Sequence, residues 1–382
     1  MEQKIILEEK KVIRVLVDAH VFDGIFQGTR TFLKGIYQNL NTEEHDIELF
    51  LAANDIDNLK KEFKNTPNIN YIKLKSRNKY IRLAYEIPKY IKKYKINYAH
   101  FNYYLPLVLN KKCKYIVTIH DVLFLDFPMY FSKGYYWKNK ILFKRSAKRA
   151  EVLTTVSNYS AERIKEKFNL KDKRIFILPN AVDEKFTLKR DKERDKKYIK
   201  QKYNVQNYIL FVSRLEPRKN HISLLKAYEN LSYWENNIEL VFIGKRAIND
   251  KKLENAIKKV SIKSKNRVHH LSSVDDYDLL SFYNGAKVCV FPSICEGFGI
   301  PPLESAILQV PTICSNKTAM ADFEFFNDNH IQPNEKEIKN RLKEIINKGS
   351  CNDNQLGSIS KHISSIYNWK ETSNRLISIL KD

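Results

Sequence analysis

The string Pro292-Ser-Ile-Cys-Glu296-Gly297-Phe298-Gly299-Ile-Pro301-Pro302-Leu-Glu304 sets two carboxylates with seven residues between them. Glu296 falls on a glycine-bracketed loop, and Glu304 in the first turns of a helix whose start the two prolines preset. Ionised carboxylates accept hydrogen bonds from hydroxyl groups, so the pair suits a polyhydroxylated ligand such as a sugar. Gly297 and Gly299 let backbone amides approach a ligand closely, and a helix N-terminus favours a phosphate. On the residues alone, a capped strand–helix turn in which Glu304 complements the helix dipole stays equally open.

Three further groups carry chemistry. Ser213-Arg214-Leu-Glu-Pro-Arg218-Lys219-Asn220 places cations directly after an apolar run, where they can neutralise a diphosphate. A solvated basic turn is the plainer reading, and Arg218 is expected to be exposed. Gly24-Ile-Phe-Gln-Gly28-Thr29-Arg30 is a glycine-spaced loop ahead of an amphipathic helix, and by itself a weak signal. His120-Asp121 follows the apolar run Tyr115–Ile119. At a strand's carboxyl end His120 suits contact with a substrate, with Asp121 orienting its imidazole.

The elements that must position these residues alternate along the whole chain. Strand candidates are Val12–Asp18, Ile47–Ala52, Tyr71–Leu74, Tyr98–Phe101, Tyr115–Ile119, Val152–Val156 and Ile175–Leu178, then Tyr208–Ser213, Ile238–Ile243, Val268–Leu271, Lys287–Phe291 and Thr312–Cys314. Helical patterns separate them, which implies α/β architecture with parallel sheets and right-handed crossovers. The expected division is an N-terminal Rossmann-like domain over 1–183, a charged linker over 184–206, a second Rossmann-like domain over 207–360, and a C-terminal helix over 361–382 packing back toward the first domain. Open parallel sheets bind ligands beyond the carboxyl ends of their strands. The expectation is therefore two doubly wound domains facing across a cleft.

Length and charge bound the rest. The 382 residues suit two domains at about 100–200 residues each. With 67 basic and 44 acidic residues the net charge is +23, which favours anionic partners but is equally what A/T-biased codon usage produces in a chain rich in Lys, Ile, Asn and Tyr. The five cysteines show no C-x-x-C pair, so neither a disulfide framework nor a zinc site is expected. The apolar run near the N-terminus is broken by Glu8 and Glu9, and no stretch reaches the roughly 18 apolar residues of a membrane span. A cytoplasmic or peripherally attached protein is expected. Asp55-Ile-Asp57 and Asp276-Tyr-Asp278 resemble metal-binding triplets but precede helical patterns, where Asp caps helices.

The string Val290-Phe-Pro-Ser…Glu-Gly-Phe-Gly-Ile-Pro-Pro-Leu-Glu-Ser-Ala…Val-Pro-Thr-Ile-Cys-Ser-Asn resembles the signature of family 4 retaining glycosyltransferases of the GT-B fold. Asp121–Phe131, Thr154–Ser157 and Phe242-Ile-Gly-Lys-Arg246 resemble the branch of bacterial O-antigen mannosyltransferases, although Ala247-Ile248 replaces that branch's usual Gly-Trp. Phe323-Glu-Phe-Phe326 likewise replaces its usual small-residue loop. The resemblance implies a nucleotide diphosphate sugar, GDP-mannose or a UDP-hexose, as donor substrate, with no metal or other cofactor. It implies that Arg214 and Lys219 clamp the diphosphate and that Glu304 holds the ribose. Glu296 would contact the donor sugar, with the Gly297, Phe298 and Gly299 amides lining sugar and β-phosphate. Gly28 and Thr29 would approach the leaving diphosphate, and His120 the transferred sugar or acceptor. The acceptor would be a glycan or polyprenyl-linked saccharide in lipopolysaccharide or capsule assembly.

Two rival readings remain: a GT-B sugar-nucleotide epimerase, and a basic nucleic-acid binder, for which no recognition motif is present. The last expectation concerns a membrane. Tyr71–Tyr98 interleaves cations with Tyr, Ile and Leu, and its helix over 80–94 sets Leu83, Ile87, Tyr90, Ile91 and Tyr94 on one face. That face could lie on an anionic bilayer with Lys89, Lys92 and Lys93 at the headgroups, or cover a sheet as an ordinary domain helix.

Overall fold

Near-continuous apolar runs such as Tyr-Ile-Leu-Phe-Val and Val-Cys-Val-Phe cannot leave either face in water, so they form parallel strands covered on both sides. The computed structural model describes residues 12–24, 28–64, 66–247, 250–349 and 352–382. Its first unit comprises residues 1–125, 133–179 and 369–382, and its second 126–132 and 180–368.

The first unit holds β1 (Ile13–Asp18), β2 (Ile47–Ala53), β3 (Ile69–Lys73), β4 (Tyr98–Asn102), β5 (Lys114–Thr118), β6 (Val152–Thr155) and β7 (Ile175–Ile177). All pair in parallel in the order β3-β2-β1-β4-β5-β6-β7. The second holds β8 (Tyr208–Val212), β9 (Glu239–Ile243), β10 (Val268–Leu271), β11 (Val288–Phe291), β12 (Thr312–Ser315) and the two-residue β13 (His330–Ile331). Their order, β10-β9-β8-β11-β12-β13, repeats the doubly wound pattern. The strand order reverses between β1 and β4 in one sheet and between β8 and β11 in the other. Those switch points are where such sheets bind ligands.

Three sequence expectations change. The charged segment 184–206 is not a linker. Lys192–Tyr203 is a helix capped by Asp191, and it belongs to the second unit, packed on helix Asp276–Gly285. Its attachment is apolar through buried Ile199 and through Tyr203, whose ring lies 4.9 Å from that of Phe282, and polar besides. Arg190 makes a fork to Asp195 at 2.7 and 2.8 Å, and Asp195 accepts from Asn284 at 2.8 Å. Asp278 accepts from Lys202 and Tyr198 at 2.8 and 2.7 Å. The second unit also runs past residue 360, through helix Asp353–Ile366, which packs on helix Ile300–Ile307. The helix that joins the first unit starts only at Trp369. Trp369 lies so close over Gly35 that a Cβ there would sit 2.1 Å from its ring, and Ser373 Oγ donates to Ile36 O at 2.9 Å.

The membrane expectation for residues 80–94 changes too. Leu83, Ile87 and Ile91 are buried, and Tyr94 packs on Phe50 of β2 with ring centroids 5.1 Å apart. That apolar face covers the sheet. Of the acidic triplets, Asp55 caps its helix by accepting from Asn58 N at 3.0 Å. At the second, the cap is Asp275, while Asp278 makes the contacts to Lys202 and Tyr198.

Candidate active site

In the second unit the loops after β8 and β11 meet at the switch point. Asn220, in the left-handed region at φ 63°, ends the basic turn and donates from Nδ2 to Pro292 O at 3.1 Å and Pro333 O at 2.6 Å. Ile294 N donates to Arg218 O at 2.8 Å. These bonds fix which cations turn inward. Lys219 is ion-paired with Glu296 Oε1, and Arg218 Nη1 lies 3.0 Å from Glu296 Oε2 while its Nε lies 2.6 Å from Glu216 Oε2. Arg218 also donates to Cys295 O at 3.1 Å. Its side chain is only 14% exposed, which corrects the expectation that it points to solvent. Arg214 is the one turned outward, 62% exposed and 2.9 Å from Glu216 Oε1.

Three cations face two carboxylates here, leaving one net positive charge for an incoming anion. Burial opposes ionisation of Glu296, but Lys219 and Arg218 outweigh it and hold the carboxyl down at about 2. Glu304 behaves oppositely. Burial pushes its carboxyl up to about 7, against the stabilising hydrogen bond from Tyr283 OH at 2.9 Å and the nearby Lys185. Two carboxylates of one motif thus differ in protonation near neutrality.

Backbone geometry supports this half. Gly299 has φ +114°, and a Cβ there would lie 2.8 Å from Met320 and 3.3 Å from Phe323. Phe323, a departure from the family pattern, fills the space that this glycine leaves. Phe298 is buried against Phe323 and Tyr367, both at 5.7 Å, so its ring is core rather than ligand lining. Thr318, β-branched yet at φ 54°, accepts from Glu296 N at 2.9 Å. Strain of this kind is held only where surrounding structure over-determines it. Gly244 is required as well, since its Cβ would fall 2.1 Å from Ser213 O where the loops after β9 and β8 touch.

In the first unit the loops after β4 and β5 bring other residues together. His120 is buried, its Nε2 3.0 Å from Asn102 Oδ1 and its ring edge-on to Phe32 at 4.8 Å. Burial pushes it down to about 3, so the imidazole is neutral at physiological pH. Asn102 Oδ1 meets the ring at Nε2, and Asp121 Oδ1 accepts from Leu123 N at 3.1 Å at the start of the next short helix. Asn102 Nδ2 is buried with no hydrogen-bond partner, an orphan donor of the kind a substrate hydroxyl satisfies. Tyr103, at φ 65°, lies 5.4 Å from the His120 ring. Gly28 opens helix Gly28–Gln38 with open space around it, and residues 25–27 of its loop lie outside those described.

Sequence reasoning missed Arg218, Asn102, Tyr103, Tyr283 and Thr318. Only Arg218 left a signal, inside Glu-Pro-Arg-Lys. The others act through contacts between segments distant in the chain.

Two parallel Rossmann-like sheets, with a carboxylate–cation cluster at the switch point of the second, define a GT-B protein of the glycosyltransferase class. The family "Glycosyltransferase Family 4" matches residues 26–186 and "Glycosyl transferases group 1" residues 190–362. With both halves matched, the chain belongs to family 4 of the GT-B glycosyltransferases. Among curated relatives it is 30% identical to O-antigen chain mannosyltransferase B of Escherichia coli, over 58% of this chain and 57% of that protein. It is also 30% identical to O-antigen chain mannosyltransferase RfbU of Salmonella typhimurium, over 56% of this chain and 54% of that one. The chain thus spans little more than half the length of these relatives. Among solved structures, sucrose-phosphate synthase from Thermosynechococcus elongatus aligns over 97% of this chain and 98% of its own, at TM-score 0.75 and 15% identity. Among the described residues, no group of His, Cys, Asp and Glu is arranged to hold a metal ion, and no helix is long and apolar enough to cross a membrane.

Proposed function

We propose that the protein is a retaining hexosyltransferase of cell-surface polysaccharide assembly, moving a sugar from a nucleotide diphosphate donor to a hydroxyl of a glycan or polyprenyl-linked acceptor. Mannose from GDP-mannose is the favoured donor sugar, because the relatives are O-antigen mannosyltransferases. UDP-hexoses follow. The observation that carries the reading is the Arg218–Glu296–Lys219 cluster at the second switch point. Its carboxylate stays ionised to accept sugar hydroxyls, while its cations, with Arg214, meet the diphosphate. Glu304, held by Tyr283, takes the ribose hydroxyls. The first unit receives the acceptor near His120 and Asn102, and its Gly28 and Thr29 approach the leaving diphosphate.

A front-face route suits retention. The bond from the anomeric carbon to the β-phosphate oxygen breaks, the acceptor oxygen bonds to that carbon, and its proton passes to the leaving phosphate. Glu296, engaged by two cations, is a poor nucleophile for a covalent alternative. Positioning and neutralisation of leaving-group charge then supply catalysis without a metal. The protein would work in the cytoplasm or at the inner face of the cytoplasmic membrane.

A thermal-shift screen with GDP, UDP, GDP-mannose and UDP-hexoses tests the reading, since a ligand at about 100 times its Kd adds about 2.7 kcal/mol to folding. Stabilisation by one nucleotide series and transfer from its sugar are expected. No shift with any nucleotide sugar refutes the assignment, and a glycosyl adduct trapped on Glu296 refutes the front-face route. Product analysis without acceptor separates transfer from epimerisation.

A further inference from the structure

Residues 79–93 form one helix whose middle turn, Arg82–Glu86, widens to π geometry ahead of Pro88, which has no N–H to give the α ladder. Wide turns of this kind recur at functional sites. Leu83, Ile87 and Ile91 cover the sheet, yet Arg82 is buried as deeply, only 5% exposed. Its Nε lies 3.4 Å from Asp18 Oδ2 and is buried without a hydrogen-bond partner. A buried guanidinium is costly unless it is both paired and hydrogen-bonded. Asp18, at the carboxyl end of β1, supplies the pairing alone, and its other oxygen faces His20 Nδ1 at 3.0 Å.

A second cation lies beside this pair. Lys79 is half-buried, with Nζ over the Tyr104 ring at 2.9 Å from its centroid. Burial, with Lys138 and Arg82 nearby, pushes its ammonium down to about 8. Burial also opposes ionisation of Asp18, but His20 and Arg82 outweigh it. Arg82, Lys79 and the ionised Asp18 thus leave one positive charge uncompensated. The place adjoins the residues assigned to the acceptor. β1 and β4 are neighbours at the switch point, and Asn102, with its orphan Nδ2, ends β4. Tyr104 lies 6.3 Å from Tyr103, which lies 5.4 Å from the His120 ring.

We propose that this cluster is an acceptor subsite for a sugar carboxylate, in which Arg82 and Lys79 hold the acid group of a hexuronate whose ring rests on Tyr103 and Tyr104. The inference rests on the glycosyltransferase reading and narrows its acceptor from any glycan to an acidic one. A guanidinium fork matches a planar carboxylate, and one such monoanion cancels the one excess charge. A phosphate monoester, at about −1.5 to −2, exceeds it. A neutral sugar would leave the Arg82 Nε as it stands, buried and unbonded. The tyrosine rings supply the apolar surface on which the C–H face of a sugar packs. A hydroxyl at His120 and a carboxylate at Arg82 then belong to one short segment of acceptor.

The test titrates three probes into the full chain in buffer holding both GDP and UDP: methyl glucuronide, methyl glucoside and methyl glucoside 6-phosphate, with binding read from ligand NMR line widths. The glucuronide should bind at least about tenfold tighter than the glucoside. Lys79→Met should cut that preference to below about threefold while glucoside affinity stays put. Arg82→Gln combined with Asp18→Asn, which leaves no stranded acid, should do the same. Lys79→Met does not touch the buried pair, so it carries the test even where the double variant fails to fold. Equal affinity of the natural chain for glucuronide and glucoside overturns the proposal. So does tighter binding of the phosphate ester than of the glucuronide, or a preference undiminished in Lys79→Met. Thermal shift by nucleotide sugars, measured on the same variants, reads the second unit independently. Nucleotide stabilisation without a glucuronide preference refutes the subsite and spares the glycosyltransferase reading, whereas the preference without nucleotide stabilisation supports the carboxylate site and refutes that reading.

Discussion

The two candidate clusters, one in each unit, solve opposite electrostatic problems. Around Glu296 charge is concentrated: a carboxylate held at about 2 is clamped by two inward cations, and a third cation waits in solvent. Around His120 charge is expelled. Burial drives both His120 and the nearby His100 down to about 3, and hydroxyls or amides, not ions, satisfy their rings. A diphosphate leaving group needs the first environment. A neutral acceptor hydroxyl, which must not be replaced by water or held by a fixed charge, suits the second.

The strongest way to break this contrast is to strip the charged half. Lys219→Ala leaves Glu296 with one cation in a largely buried site, and losing one member of such a pair costs about 3–5 kcal/mol. Denaturant unfolding should show that loss, and donor affinity should fall at least about a hundredfold. Adding Glu296→Gln removes the stranded charge, so the double variant should regain stability without regaining donor binding. A loss below about 1 kcal/mol for Lys219→Ala would show that the cluster is not electrostatically coupled.

The neutral half predicts a different pattern. His120→Ala removes a hydrogen-bonding ring near the proposed acceptor but no charge. Turnover should fall about 10–100-fold while nucleotide affinity, read by thermal shift, stays within about threefold. Parallel loss of both would make the histidine a packing residue against Phe32.

The contrast also explains what could be read in the residues beforehand. The parallel, doubly wound architecture followed from alternation of apolar runs and helices, and the Glu296–Glu304 motif stood out because its glycines and prolines are dictated locally. Gly299 shows why: its positive φ and contact with Met320 allow no side chain. Helix 192–203 was hidden because its apolar contacts are few, Ile199 and the rings of Tyr198 and Tyr203 within a charged run, and polar bonds to Asp195 and Asp278 complete its attachment, so hydrophobic periodicity is weak there. The face of helix 80–94 is equally compatible with a sheet or a bilayer until something is seen to cover it. Arg214, Arg218 and Lys219 look alike in a Lys-rich chain. The turn at Asn220 and the Ile294–Arg218 backbone bond decide their directions, and both depend on a segment more than 70 residues away.

Glu304 gives a graded test by pH. Its carboxyl sits near 7 in the folded protein against 4.5 for an ordinary glutamate. Between those values the folded chain keeps a proton that the unfolded chain releases, so this group makes stability fall as pH rises through that window. Glu304→Gln should flatten that part of the stability profile. Donor binding should run the other way: the ionised carboxylate accepts both ribose hydroxyls, so affinity should rise as pH passes about 7 and lose that rise in Glu304→Gln. An unchanged affinity profile in the variant would detach Glu304 from the ribose.

The smallest effect is expected at Arg214, and it is the one that tells a fixed clamp from a mobile one. Its guanidinium is 62% exposed and touches Glu216 at 2.9 Å, an arrangement typical of surface pairs worth about 0–1 kcal/mol. Arg214→Ala should therefore leave denaturant stability nearly unchanged. Arg218→Ala should destabilise visibly, because it removes partners from Glu216, Glu296 and the Cys295 carbonyl together. Exposure in the absence of ligand does not keep Arg214 from the diphosphate. A long side chain already on the right loop can swing in when an anion arrives, giving up a weak pair for a charge-assisted one. If it does, Arg214→Ala loses about tenfold in donor affinity with stability intact, and the loss shrinks for the sugar-free nucleoside monophosphate. Equal losses for diphosphate and monophosphate would place Arg214 away from the β-phosphate and leave the clamp to Arg218 and Lys219.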